Sequence, residues 1–116
     1  MAAGGSPSTE PKFLVEAAYT AEGLRGLQKD KASGRRDAVV KAVAGLEGKV
    51  EAFYFAMGKR DVVVIVELPD AVSAAALSLA VSASGLVRVA TTTLLGVEEI
   101  DRALSKKLNW RAPGAQ

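Results

Sequence analysis

The side chains able to do chemistry are few, and their types narrow the choice at once. The 116-residue chain contains neither Cys nor His. Thiol nucleophiles, Ser-His-Asp triads, Cys/His zinc sites and histidine-ligated haem are therefore excluded. A metal would have to be held by oxygen ligands alone, and neither a metal nor any other cofactor is expected. Neither the GxGxxG nor the GxxxxGK[ST] spacing occurs, so no loop is expected to cradle a phosphate. A general base would have to be an Asp or Glu with a raised pKa, or a tyrosine. No spacing singles one out: Glu98-Glu99 suits a helix N-terminus, and Glu16 and Glu22 are expected to face water. Whether the protein is an enzyme stays open.

Four positions are the candidates for binding a small molecule: Tyr54, Asp61, Arg88 and Thr92. Tyr54 offers a hydroxyl donor and an aromatic face. Arg88 offers an anion site beside the polar run Thr91-Thr92-Thr93. Each has a plainer reading. Asp61 beside Gly58 is an ordinary turn residue that bonds its own backbone. Tyr54 suits the edge of a protein interface, and strand propensity with cross-strand pairing accounts for the threonines. Trp110 is a candidate lid or partner anchor, with packing of the tail as its plainer role.

Charge excludes a global electrostatic role. Lys and Arg number 15 against 13 Asp and Glu, a net charge of +2, too little to draw in nucleic acid or an anionic membrane. Local patches exist around Lys29, Lys31, Arg35, Arg36 and Lys41 and around Arg102, Lys106, Lys107 and Arg111. Strand DVVVIVEL lacks the aromatics that RNA-recognition sheets stack on bases, and Phe13 and Tyr19 are too widely spaced. Nucleic acid is not an expected partner, and solvated faces or charge pairs between subunits explain the patches.

The elements that must position these groups follow from periodicity. The stretch 12–19, with Phe13, Val15, Ala17 and Tyr19 on one face, reads as a strand, and Thr20 as the N-cap of the helix after it. That helix carries Leu24 and Leu27, is interrupted at 29–34, and resumes with Val39, Val43 and Leu46, ending at Gly48 in a left-handed conformation. Stretches 49–57 and 61–68 form a hairpin, with Met57 set opposite Val62 to keep Glu51 away from Glu67. One face would hold Phe53, Phe55, Met57 and the alternate residues Val62 to Leu68. The other would hold Ala52, Tyr54, Val63 and Ile65. Asp70 caps an Ala-rich helix over 71–84, whose main apolar face is Val72, Ala76, Leu79 and Ala83, with Leu77 and Val81 on another side. Stretch 86–95 is a strand, and Ile100, Leu104 and Leu108 mark a last helix.

The order β-α-β-β-α-β plus a C-terminal helix predicts an α+β, ferredoxin-like fold. One domain over 12–108 is expected, between a disordered N-terminal tail (1–11) and an extended C-terminal tail (109–116). The first eleven residues have no basic or strongly apolar segment of a targeting signal, which with the lack of Cys fits a cytoplasmic protein. No apolar run approaches the ~20 residues of a membrane span. A hairpin apolar on both faces predicts self-association, at least a homodimer, through Tyr54, Val63 and Ile65.

Several separated blocks carry a family resemblance: EAFYFAMG (51–58) with DVVVI (61–65), SAAAL (73–77), TTTLL (91–95), the YTAEG junction (19–23) and the RAPG tail (111–114). Together they resemble the GYD domain family, small bacterial proteins of unknown function similar to dimeric α+β barrels. The signature departs from the family at one position. Gly58 and Asp61 match its Gly-Tyr-Asp motif, but Arg60 stands where the aromatic would be. The resemblance implies the fold and a dimer, and some relatives of that architecture are cofactor-independent oxygenases or isomerases. Two functions are in view: a homo-oligomer holding a small apolar or aromatic molecule between sheet and helices, or a non-enzymatic assembly or regulatory module. An enclosed cavity of about 300 Å³ or more with convergent polar groups is expected of the first, and a filled core of the second.

Overall fold

The computed structural model describes residues 10–115, so the expected N-terminal tail lies almost wholly outside the described residues. The elements are β1 (Lys12–Tyr19), α1 (Ala21–Gly45), β2 (Lys49–Phe55), β3 (Val62–Glu67), α2 (Ala71–Ala83), β4 (Val87–Leu94) and α3 (Val97–Leu104). The four strands form one antiparallel sheet in the order β2-β3-β1-β4. This is the ferredoxin-like α+β arrangement with an additional C-terminal helix. No helix is long and apolar enough to cross a membrane among the described residues.

Alternation along the strands assigns the two faces. Phe13, Val62, Val64, Val66 and Leu68 are buried together with Val43 of α1 and Ala74 of α2, and these form the core. Their neighbours in sequence, Leu14, Val63 and Ile65, point to the open face. Thr20 caps α1 by accepting from the Gly23 N–H at 3.2 Å, and Asp70 caps α2 by accepting from the Ser73 N–H at 2.8 Å. Both caps fall where their residue types predict. The interruption of α1 is a kink at Lys31, whose backbone is non-helical (φ 67°, ψ 166°).

Three expectations are corrected. The β2–β3 register places Phe55, not Met57, opposite Val62, and Phe53 opposite Val64, with a bulge between Val50 and Ala52. The shift is by two residues, so the faces keep their members. Met57 falls past the strand into solvent. Glu51 and Glu67 are apart in this register too: Glu67 pairs with Lys49, and Glu51 bonds Lys12.

The left-handed residue after α1 is Glu47 (φ 62°), not Gly48. Glu47 N–H donates to the Ala44 carbonyl and Gly48 N–H to the Val43 carbonyl, which is the Schellman closure. Gly48 is required for another reason. A Cβ there would lie 2.4 Å from the Glu67 carbonyl oxygen and 2.6 Å from a Leu68 methyl.

The α2 faces are also exchanged. Leu77, Ser78 and Val81 turn inward with Ala74, while Val72 and Leu79 are 77% and 70% exposed. The helix is apolar all round, so its sequence does not choose a stripe. Its anchoring chooses: the Asp70 cap at one end and a hydrogen bond between the Ser78 and Thr91 hydroxyls (2.6 Å) fix the rotation.

Candidate functional site

Strand register sorts the sequence-predicted residues by face. Tyr54 lies opposite Val63, which lies opposite Glu16, which lies opposite Ala90. The next row along is Ala52, Ile65, Leu14 and Thr92, and Arg88 follows beside Ala18 on the far side of the first row. Tyr54, Val63, Ile65, Arg88 and Thr92 therefore share the open face, which the helices do not cover. Tyr54 is 69% exposed there. Lys12 and Glu51 close one end of this face with an ion pair at 2.6 Å. That hydrogen bond, helped by the charges of Glu51 and Glu67, holds the Lys12 ammonium above its ordinary range. Thr91 and Thr93 fall on the opposite, helix-covered side.

Asp61 is not part of this group. Its Oδ2 accepts from the Tyr19 N–H at 2.7 Å, its own N–H donates to the Ala17 carbonyl, and its carbonyl accepts from Ala56 N–H, both at 2.8 Å. These bonds clamp the end of β1 where the chain turns into α1. Beside it, Thr20 donates to the Leu86 carbonyl through both its N–H and its hydroxyl. A Cβ on Gly23 would fall 2.0 Å from that same carbonyl oxygen. The corner joining β1, α1 and β4 is thus fixed by backbone contacts that leave Asp61 a structural tie.

The covered face holds a feature that the candidate residues do not touch. Between the sheet, the second half of α1 and α2 lies an apolar pocket of about 140 Å³ that is open to solvent, with Ala38 and Ala42 exposed on its α1 wall. Its walls are almost entirely apolar, including Ala17, Val39, Leu77, Val81 and Val89. Among the described residues, the polar or part-polar ones lining it are Tyr19, Ser78 and Arg35. A second cleft of about 220 Å³ adjoins it towards the first half of α1, and Tyr19, Arg35, Val81 and Val87 wall both. Arg35 donates to Asp30 across the kink at 3.3 Å.

Sequence reasoning placed Arg35 in a solvated basic patch. The missed signal is its spacing, four residues before Val39 and eight before Val43, which puts it on the inward stripe of α1. Phe13 is buried under the helices and Tyr19 faces the cavity, so neither is presented on the open face.

The family model of the GYD domain matches residues 13–104, which take in all seven elements but for Lys12 at the start of β1. The chain belongs to the GYD domain family. No curated protein and no solved structure matches it. Membership of the GYD domain family accounts for the fold, while the site must be read from its own geometry. No group of three or more Asp or Glu side chains able to hold a metal occurs among the described residues.

Proposed function

We propose that this GYD domain protein is a cytoplasmic homo-oligomer, at least a dimer, that holds a small apolar or aromatic molecule between its sheet and helices. The observation that carries this reading is the apolar pocket between sheet and helices, open to solvent and about 140 Å³ in volume. That volume is on the order of a molecule of benzene size and is smaller than the ~300 Å³ of sites for drug-sized ligands. The ligand expected is correspondingly small. Tyr54, Arg88 and Thr92, on the opposite face, take the role of subunit contacts or of a second polar contact surface.

Assembly has its own support. The open face carries Leu14, Ala52, Tyr54, Val63 and Ile65, and besides the Lys12–Glu51 pair at its end it carries Glu16 and Arg88, opposite charges that a two-fold-related copy can pair. Four strands of this length offer roughly 400–500 Å² of sheet, short of the ~800 Å² per partner of a standard interface. Exposed Val97, Leu104, Leu108 and Trp110 in and after α3 supply further apolar surface. If the cavity proves empty, this surface favours the second reading, a non-enzymatic assembly or regulatory module.

Native mass spectrometry of the protein purified from cells tests both parts. An oligomer carrying a discrete extra mass is expected for the wild type, and a monomer for Ile65→Glu, which places a charge in the centre of the open face. A wild-type monomer overturns the interface. A clean oligomer that takes up no added toluene overturns the binding role and leaves assembly.

A further inference from the structure

The kink in α1 lies between two residues that line the pockets, Asp30 in the cleft and Arg35 in both. Lys31, at φ 67° and ψ 166°, occupies a backbone region that side chains other than glycine rarely adopt, and such outliers gather at ligand clamps and hinges. One residue before it stands Asp30 and four after it Arg35, and their ion pair spans the kink. Arg35 walls the apolar cavity and the adjoining cleft alike, and Asp30 walls the cleft. The Arg35 side chain is 32% exposed and that of Asp30 45%. Among the described residues Arg35 is thus the one cationic residue lining the pocket, and its guanidinium is held by a partner that water can readily solvate in its place.

We infer that Arg35 is a carboxylate-binding residue, and that the cavity takes a small organic acid with an aromatic or short branched apolar body. It rests on the reading of this cavity as a binding site and adds the chemical class of the occupant. The apolar walls accept a body of about six carbons. A planar guanidinium receives a carboxylate through two parallel N–H···O bonds. Asp30 fills that place when no ligand is bound. An exposed pair of this kind is weak, so a ligand that also buries its ring can displace Asp30, whose carboxylate returns to water. The pair is then an internal competitor, and the hinge at Lys31 is where the chain yields as the pair opens.

Benzoate and its uncharged counterpart toluene are the probes, titrated into the full-length protein at neutral pH and followed by amide shifts of Arg35, Val39, Leu77 and Val89. In the wild type, benzoate is expected to bind at least tenfold more tightly than toluene. Arg35→Gln should remove that preference and leave toluene binding as it was. Asp30→Asn should tighten benzoate several-fold, an effect opposite to that of a merely structural pair. Toluene binding with no preference for benzoate, or a preference that survives Arg35→Gln, overturns the carboxylate assignment and leaves the cavity reading standing. Weaker benzoate binding in Asp30→Asn overturns the competitor role. If neither probe shifts the cavity amides, the binding reading and this assignment fall together.

Discussion

At one end of the helix-covered face Val43 and Leu68 are wholly shielded from water, whereas towards Tyr19 and Val87 the same layer is hollow. The residues are of similar kinds. What differs is the approach of the backbones. At the Leu68 end, Gly48 brings the α1–β2 turn against the Glu67 carbonyl and the Leu68 side chain, and no atom larger than hydrogen fits between them. At the other end α1 bends at Lys31, and Ala17, Ala38 and Ala42 face a gap they are too short to close. Close packing of apolar residues depends on how near the backbones are held, and the chain holds them near at one end only.

The contrast can be broken from either side. The largest effect is expected at the packed end. Leu68→Ala should cost about 3 kcal/mol in denaturant unfolding, the ordinary loss for a fully buried leucine in a site that cannot collapse. A cost under about 1 kcal/mol would mean that this end is no tighter than the other.

At the hollow end the sign reverses. Ala42→Leu extends a side chain into the cavity rather than into packed neighbours, and a gain of about 1 kcal/mol is expected, with toluene binding lost. Destabilisation by a similar amount would show that the space is not available to a side chain.

The smallest effect sharpens the contrast at the anchor of α2, just beyond Leu68. The N–H of Ser73 donates to Asp70 and holds its carboxyl below the ordinary 3.8. A lowered carboxyl contributes stability above its unfolded value and loses it as pH falls through the folded one. The Ser73 amide shift should therefore titrate with a midpoint below 3.8, stability should be flat with respect to this group at neutral pH, and Asp70→Asn should abolish the titration. A midpoint above 3.8 would remove the cap from the account.

Much of the fold was legible because its signals are local. Thr20 and Asp70 are caps by residue type, the polar run 29–34 announced the kink, and alternation through Val62–Leu68 divided the two faces. The register of β2 was not legible. Two hairpin registers differing by two residues give the same faces, so alternation does not distinguish them. The site was read in part. The open-face group Tyr54, Val63, Ile65, Arg88 and Thr92 follows from period-two alternation, but Arg35 was hidden because a charged residue on an inward stripe looks, in sequence, like any solvated one.

The amino-acid sequence alone determined the order of elements, their caps, the exclusion of Cys and His chemistry and the two-faced apolar sheet, since each depends on residues within a few positions of one another. Tertiary structure decided the rotation of α2, the separation of Asp61 from the other candidates, and the meeting of the Lys31 kink with an apolar cavity. Those depend on distances between segments far apart in the chain, which no local pattern encodes.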